Sequence, residues 1–121
     1  MIRQARVELY NFTVRGFRSK EAGIFRMIGG SLTIADSHFE DNEAPFGGVI
    51  NFLGNGVVNI DNSKFVNNRG QASPVFSMIA DASLTVRNSS FLANKATNGA
   101  AVIVYSGRGV FLFENCEFIG N

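Results

Sequence analysis

The pattern Phe-x-x-Asn recurs at a nearly constant step along the 121 residues, at Phe39–Asn42, Phe65–Asn68, Phe91–Asn94 and Phe118–Asn121. The steps between copies are 26, 26 and 27 residues. A unit of this length recurring along a chain marks a solenoid, propeller or array, in which each unit buries its apolar face only against its neighbours. Other columns keep the step. Leu32, Val58, Leu84 and Phe111 align, as do Ile34, Ile60, Val86 and Phe113. Two residues on come Asp36, Asn62, Asn88 and Asn115, followed by Ser37, Ser63, Ser89 and Cys116. A further group is Ala22-Gly23-Ile24-Phe25, Gly47-Gly48-Val49-Ile50, Ser73-Pro74-Val75-Phe76 and Gly99-Ala100-Ala101-Val102, stepping by 25, 26 and 26.

Within each unit the apolar period is 2, not 3.6. Leu32-Thr33-Ile34 and Leu84-Thr85-Val86 place apolar residues on one side of a short strand. Ser37-His38-Phe39 and Ser63-Lys64-Phe65 form a second strand, with the small residue and Phe inward and His38, Lys64, Ser90 or Glu117 outward. Val49 to Leu53 forms a third, with Ile50 and Phe52 inward. Asp36 and its Asn counterparts punctuate the first bend, Asn42 to Gly47 the second, and Gly54-Asn55-Gly56 the third. Asn, Asp and Gly suit such bends because they tolerate left-handed backbone angles. Three short strands and three bends in about 26 residues describe one rung of an all-β, right-handed parallel β-helix, the expected hand for parallel crossovers. Phe39, Phe65, Phe91 and Phe118 then stack as an aromatic ladder. The columns Asn42, Asn68, Asn94, Asn121 and Asp36, Asn62, Asn88, Asn115 are expected to run amide hydrogen bonds along the axis. Composition agrees: Phe supplies 12 of the aromatics against 2 Tyr and no Trp, and 13 Gly replace the usual helix formers. A leucine-rich repeat shares the period, but Gly-Gly and strand alternation occupy the half of the unit where it would need a helix-compatible stretch.

The first rung departs from the pattern. Phe12 lies 27 residues before Phe39 and is the expected ladder member, with Arg15 in place of Asn; Phe17, at 22, is the other register. Residues 1–121 thus read as one segment of about four and a half rungs, expected to be part of a longer solenoid, since open solenoid ends are normally capped.

The paired motifs Phe-x-x-Asn and Gly-Gly-hydrophobic-hydrophobic resemble those of the chlamydial polymorphic outer-membrane proteins and related surface proteins. All of these resemble the pectin-lyase-like right-handed β-helix superfamily. The resemblance covers roughly residues 22–121, with Gly47-Gly48-Val49-Ile50 the nearest copy and Ser73-Pro74-Val75-Phe76 a departure. It implies surface display, adhesion or scaffolding at an extracellular or cell-surface location.

That superfamily also includes polysaccharide lyases and hydrolases, which need paired carboxylates or carboxylate-bound Ca²⁺. The resemblance would place such groups on the outer face after the Gly-Gly motif. That face reads Val49, Asn51, Leu53; Val75, Ser77, Ile79; Ala101, Ile103, Tyr105, with no acid. Val49, Leu53, Val75, Ile79, Ile103 and Tyr105 instead form an apolar strip, a candidate interface for a protein partner or neighbouring domain. The remaining acids are dispersed. Glu40, Asp41 and Glu43 read as a solvated loop before a cation site, and Asp36 with Asp61 as structural positions before a catalytic pair. His38, the one histidine, reads as a surface residue. Cys116, the one cysteine, reads as a small buried residue without a disulfide partner. Neither catalytic residues, a metal site nor a cofactor site is expected.

Asn11-Phe12-Thr13 is a glycosylation sequon relevant only to a secreted eukaryotic chain; Asn88-Ser89-Ser90 is another, discounted because Asn88 belongs to the ladder. Net charge is +1 with 17% charged residues. Arg3, Arg6, Arg15, Arg18, Lys20 and Arg26 crowd the start, yet without an aromatic platform they read as a solvated rim and not a nucleic-acid site. No apolar run approaches the length of a membrane span. The expectation is a structural or adhesive β-helix module of a larger surface or extracellular protein, without catalysis of its own. Its partners would be proteins, neighbouring domains or carbohydrate. The alternatives are the scaffold of a polysaccharide lyase or hydrolase, and a structural subunit of a large assembly.

Overall fold

The computed structural model describes residues 1–121 and contains strands, turns and bends without any helix. Every strand pairing is parallel and joins a rung to the next. A long sheet of 8 strands includes Arg6–Tyr10, Phe25–Ala35, Ile50–Asp61, Ala82–Arg87 and Phe111–Glu114. A second sheet stacks Thr13–Arg15, His38–Glu40, Lys64–Val66, Ser90–Leu92 and Glu117–Ile119, one strand from each of five rungs. A small third sheet pairs Arg69–Gly70 with Lys95–Ala96. The coil therefore has about five turns, slightly more than the sequence expectation.

Registers follow the sequence columns. Val58 lies between Leu32 and Leu84, Ile60 between Ile34 and Val86, and Phe65 between Phe39 and Phe91. Because side chains alternate, a slip of one residue would turn each column inside out, so the inward apolar sets fix the register. The corners hold it from outside. Asn11, Asp36, Asn62, Asn88 and Asn115 all occupy left-handed backbone at the first corner, with φ between 45 and 53°. Gly16, Asp41, Asn67, Ala93 and Gly120 do so at the second.

Three features differ from the expectation. Gly54-Asn55-Gly56 is no bend: Ile50–Asp61 runs through it as one strand of 12 residues, and Phe25–Ala35 runs likewise through Gly29-Gly30. A register shift between Ile28 and Gly30 marks the kink, so sheet pairing absorbs the turn as a bulge. In the first rung the ladder position belongs to Val14, paired with Phe39, and not to Phe12 or Phe17. The rung is one residue shorter than the Phe-x-x-Asn step: Asn11 takes the corner, Phe12 the serine column and Phe17 the asparagine column. Finally, Ile103 pairs with Phe76, which places one extra residue in the preceding loop and moves Tyr105 over Met78 instead of Ile79.

The core is a single cluster of 17 buried residues lining the inside of the coil, Met27, Phe39, Phe52, Phe65, Phe76 and Phe91 among them. Phe39, Phe65, Phe91 and Phe118 stack face to face at 5.1, 5.0 and 4.8 Å, within 8° of parallel. Each contact adds about 0.5–1.5 kcal/mol beyond burial. Phe76 meets Phe65 and Phe91 edge-on, so the stack is wedged from the side.

Candidate functional site

The buried asparagine column forms as expected. The side-chain nitrogens of Asn42, Asn68 and Asn94 donate to Oδ1 of Asn68, Asn94 and Asn121 at 3.0, 3.0 and 2.8 Å. Their backbone N–H groups donate to the same oxygens. Each amide also donates to a strand carbonyl of the previous rung, Val14 for Asn42 and Phe39 for Asn68. Full pairing is what makes these buried amides tolerable. The outer column is discontinuous. Asn62 donates to Asp36 and Asn115 to Asn88, each at 2.7 Å, but Asn88 donates to Asp61 and not to Asn62. The serine column is a third ladder: Ser37 N–H donates to Ser63 Oγ and Ser63 N–H to Ser89 Oγ, at 3.2 and 3.1 Å.

The expected apolar strip is broken: Ile79 and Tyr105 are 44% and 60% exposed, but other members are not. Val49 and Val75 are wholly buried in the core. The strands begin only at Ile50 and Phe76, so alternation does not reach back to the preceding valines. Ile103 packs against the core as the partner of Phe76, and Tyr105, shifted by the extra loop residue, leans on Phe111 at 4.8 Å. What remains outward is the column Ile28, Leu53 and Ile79, of which Ile79 is 44% exposed. Asn51 and Ser77 stand in the outward columns but are buried, and the loop at Gly47 closes on Ser77: a Cβ added to Gly47 would lie 3.0 Å from that of Ser77. Arg26, paired with Asn51, is half-buried and not a rim residue; its Nε and Asn51 Oδ1 both lack hydrogen-bond partners.

The acids are engaged singly. Arg15 faces Glu40 and Asp41, each at 3.5 Å, and Arg18 faces Glu43 at 3.5 Å. Asp36 and Asp61 each accept an asparagine amide from the next rung. No group of three His, Cys, Asp or Glu residues is placed to hold a metal ion. His38 is half-buried in the outward column between Thr13 and Lys64, with Nε2 unpartnered, so it is less of a surface residue than its position suggests. Cys116 extends the serine column, its Sγ donating to the Glu114 carbonyl, but it is half-buried.

A broad concavity lies elsewhere. A groove of about 830 Å³ runs along the axis over four rungs, beside the small third sheet. Ser19, Ala44, Gly70 and Ala96 give it a floor of small side chains; Lys20, Arg69 and Lys95 line it with positive charge, and Glu43 is its single acid. Successive rungs place Arg18, Glu43, Arg69 and Lys95 in one exposed column. Lys20, Arg69 and Lys95 have no salt-bridge partner. Sequence reading placed Lys20 among rim cations and left Arg69 and Lys95 unremarked. The column's 25- and 26-residue steps were the available signal, obscured because its members differ chemically.

Parallel strands wound in successive rungs around like-on-like ladders define a parallel β-solenoid. The family model described as right-handed beta helix region matches residues 1–121. The chain belongs to that family, and its coil is right-handed. No curated protein and no solved structure matches it.

Proposed function

We propose that this β-helix is a structural and adhesive module of a larger cell-surface or extracellular protein, a stiff spacer that presents surface without performing chemistry. The observation that carries this reading is the use made of the polar groups. The inner asparagines and serines are spent on rung-to-rung hydrogen bonds, and the axial groove holds one carboxylate, opposed by Arg18. Hydrolysis of a glycan ordinarily uses two carboxyl groups flanking the bond, and elimination uses a base beside a cation held by a carboxylate cluster; the groove presents neither a carboxyl pair nor such a cluster. A protein partner or neighbouring domain would meet the module along its outer faces, where Ile28, Leu53 and Ile79 are the apolar column available.

The second reading is the scaffold of a polysaccharide lyase or hydrolase, favoured by the groove itself, with the missing acids supplied from elsewhere in a longer protein. Incubating the full-length protein with acidic polysaccharides, with and without Ca²⁺, separates the two. The module reading expects no new reducing ends and no unsaturated products; either product would replace it with the enzyme reading.

A further inference from the structure

We infer that Asn98-Gly99 is a site at which the chain modifies itself: Asn98 loses its side-chain nitrogen as ammonia and becomes aspartate or isoaspartate, with no enzyme involved. The chemistry does not depend on what the module binds. Asparagine converts this way when the backbone nitrogen of the following residue attacks its side-chain carbonyl carbon. A following glycine, lacking a Cβ, leaves that approach open. Asn-Gly occurs at Asn55-Gly56 and Asn98-Gly99, and Asn-Ser, the next most crowded pair, at Asn62-Ser63 and Asn88-Ser89. As dipeptides Asn55 and Asn98 are equivalent. In the coil they are not.

Asn55 lies inside the strand Ile50–Asp61, and Gly56 is paired on both sides, with Gly30 and Ala82. Extended, laddered backbone holds the glycine nitrogen away from the side-chain carbon, so reaction there must wait for the strand to open. Asn62 and Asn88 commit their amides to Asp36 and Asp61 at 2.7 and 2.9 Å, and the Ser63 N–H is given to Ser89 Oγ. Asn98 meets every requirement. It is exposed among the bends of residues 97–102, its side chain makes no hydrogen bond within the protein, and the Gly99 N–H has no acceptor.

In the step itself, the Gly99 nitrogen gives its proton to hydroxide and bonds to Asn98 Cγ. The Cγ–Nδ2 bond breaks, and Nδ2 leaves as ammonia after taking a proton from water. Water then opens the cyclic imide at either carbonyl, so the net change is water in and ammonia out, without oxidation or reduction. Opening at one carbonyl leaves aspartate on the original backbone. Opening at the other routes the main chain through the side chain and lengthens it by a methylene. The structure has no room for that methylene: Gly99 lies so close to the Ala72 carbonyl of the preceding rung that even a Cβ would overlap it. Lengthening the chain there pushes Gly99 off Ala72 and loosens the next strand, Ile103–Ser106, which has Phe76–Ile79 as its single partner.

The test is ageing of the full chain at mildly alkaline pH, folded and in urea, with peptide mapping by mass spectrometry and enzymatic methyl labelling of isoaspartate. In urea Asn55 and Asn98 should convert at similar rates. In the folded chain Asn98 should outpace Asn55 by about tenfold or more, the factor by which an intact strand withholds Asn55. Asn98→Gln should remove the signal at that position and leave melting unchanged. Hydrogen exchange at Ile103–Ser106 should quicken in the aged parent and not in Asn98→Asp, which adds the charge without the methylene. A ratio of Asn98 to Asn55 conversion no larger in the folded chain than in urea would overturn the site. Equal exchange in the aged parent and in Asn98→Asp would overturn the consequence drawn from the Gly99–Ala72 contact.

Discussion

Asn68 accepts two hydrogen bonds from Asn42 and gives one each to Phe39 and Asn94. Asn68→Ala would orphan partners on both adjoining rungs inside the coil, where water cannot replace them. The expected cost in urea unfolding is about 3–5 kcal/mol. Asn62 shares the spacing, but its amide is exposed and its φ is 45°. Asn62→Gly should stay within about 0.5 kcal/mol of the parent, since glycine accepts that backbone at no steric cost. If the two variants unfold alike, burial is not what sets the worth of these columns. Cys116 is a second case. Ser63 and Ser89 accept an N–H from the previous rung, but Ser89 N–H makes no such bond to Cys116. Cys116→Ser should restore the bond and raise stability by about 0.5–1 kcal/mol in the same assay. These columns were legible in the sequence because identical residues recur at a fixed step. The first rung was not, because Val14 fills the phenylalanine position and Phe12 and Phe17 stand where smaller or polar residues stand elsewhere.

At the scale of strands and loops, the Gly47-Gly48 pair shows how closely the rungs approach. Gly47 has φ 51°, and a Cβ on Gly48 would lie 2.2 Å from the Pro74 carbonyl oxygen of the next rung. Gly48→Ala should therefore force backbone apart and cost about 3 kcal/mol. Gly16→Ala, with φ 70° and nothing within 4 Å, should cost only the left-handed strain of about 1–2 kcal/mol. Comparable melting temperatures for the two would show that the loop can relax. The same loop explains why the outer strip was misread. Strict alternation was extended to Val49 and Val75, which precede the strands, and across the Thr97–Val102 loop, where the spacing lengthens by one. The groove stayed illegible for a different reason. Its charge comes from residues unlike one another, and concavity arises only once the loops are folded back.

For the whole molecule, stability should be a sum over rungs and their interfaces. Removing residues 62–87, one full period, joins Asp61 to Asn88 and leaves every ladder in register. That shortened chain should fold with parallel-sheet circular dichroism and cooperative melting. Removing 62–86 leaves one residue too many, and inward and outward faces exchange across the junction. It should fail to fold or lose most of its melting transition. Equal behaviour of the two deletions would mean that the columns do not specify the coil.

The rung-to-rung bonds all point along the axis, and the first and last strands lie at opposite ends of the stack. Tension applied between the termini therefore loads one seam at a time instead of shearing many bonds together. Under an optical trap the protein would lengthen in a sawtooth, each tooth releasing about 26 residues or roughly 80–90 Å of chain. A single all-at-once rupture would show that the seams share the load. A coil built this way yields by steps, dissipating a pull one rung at a time.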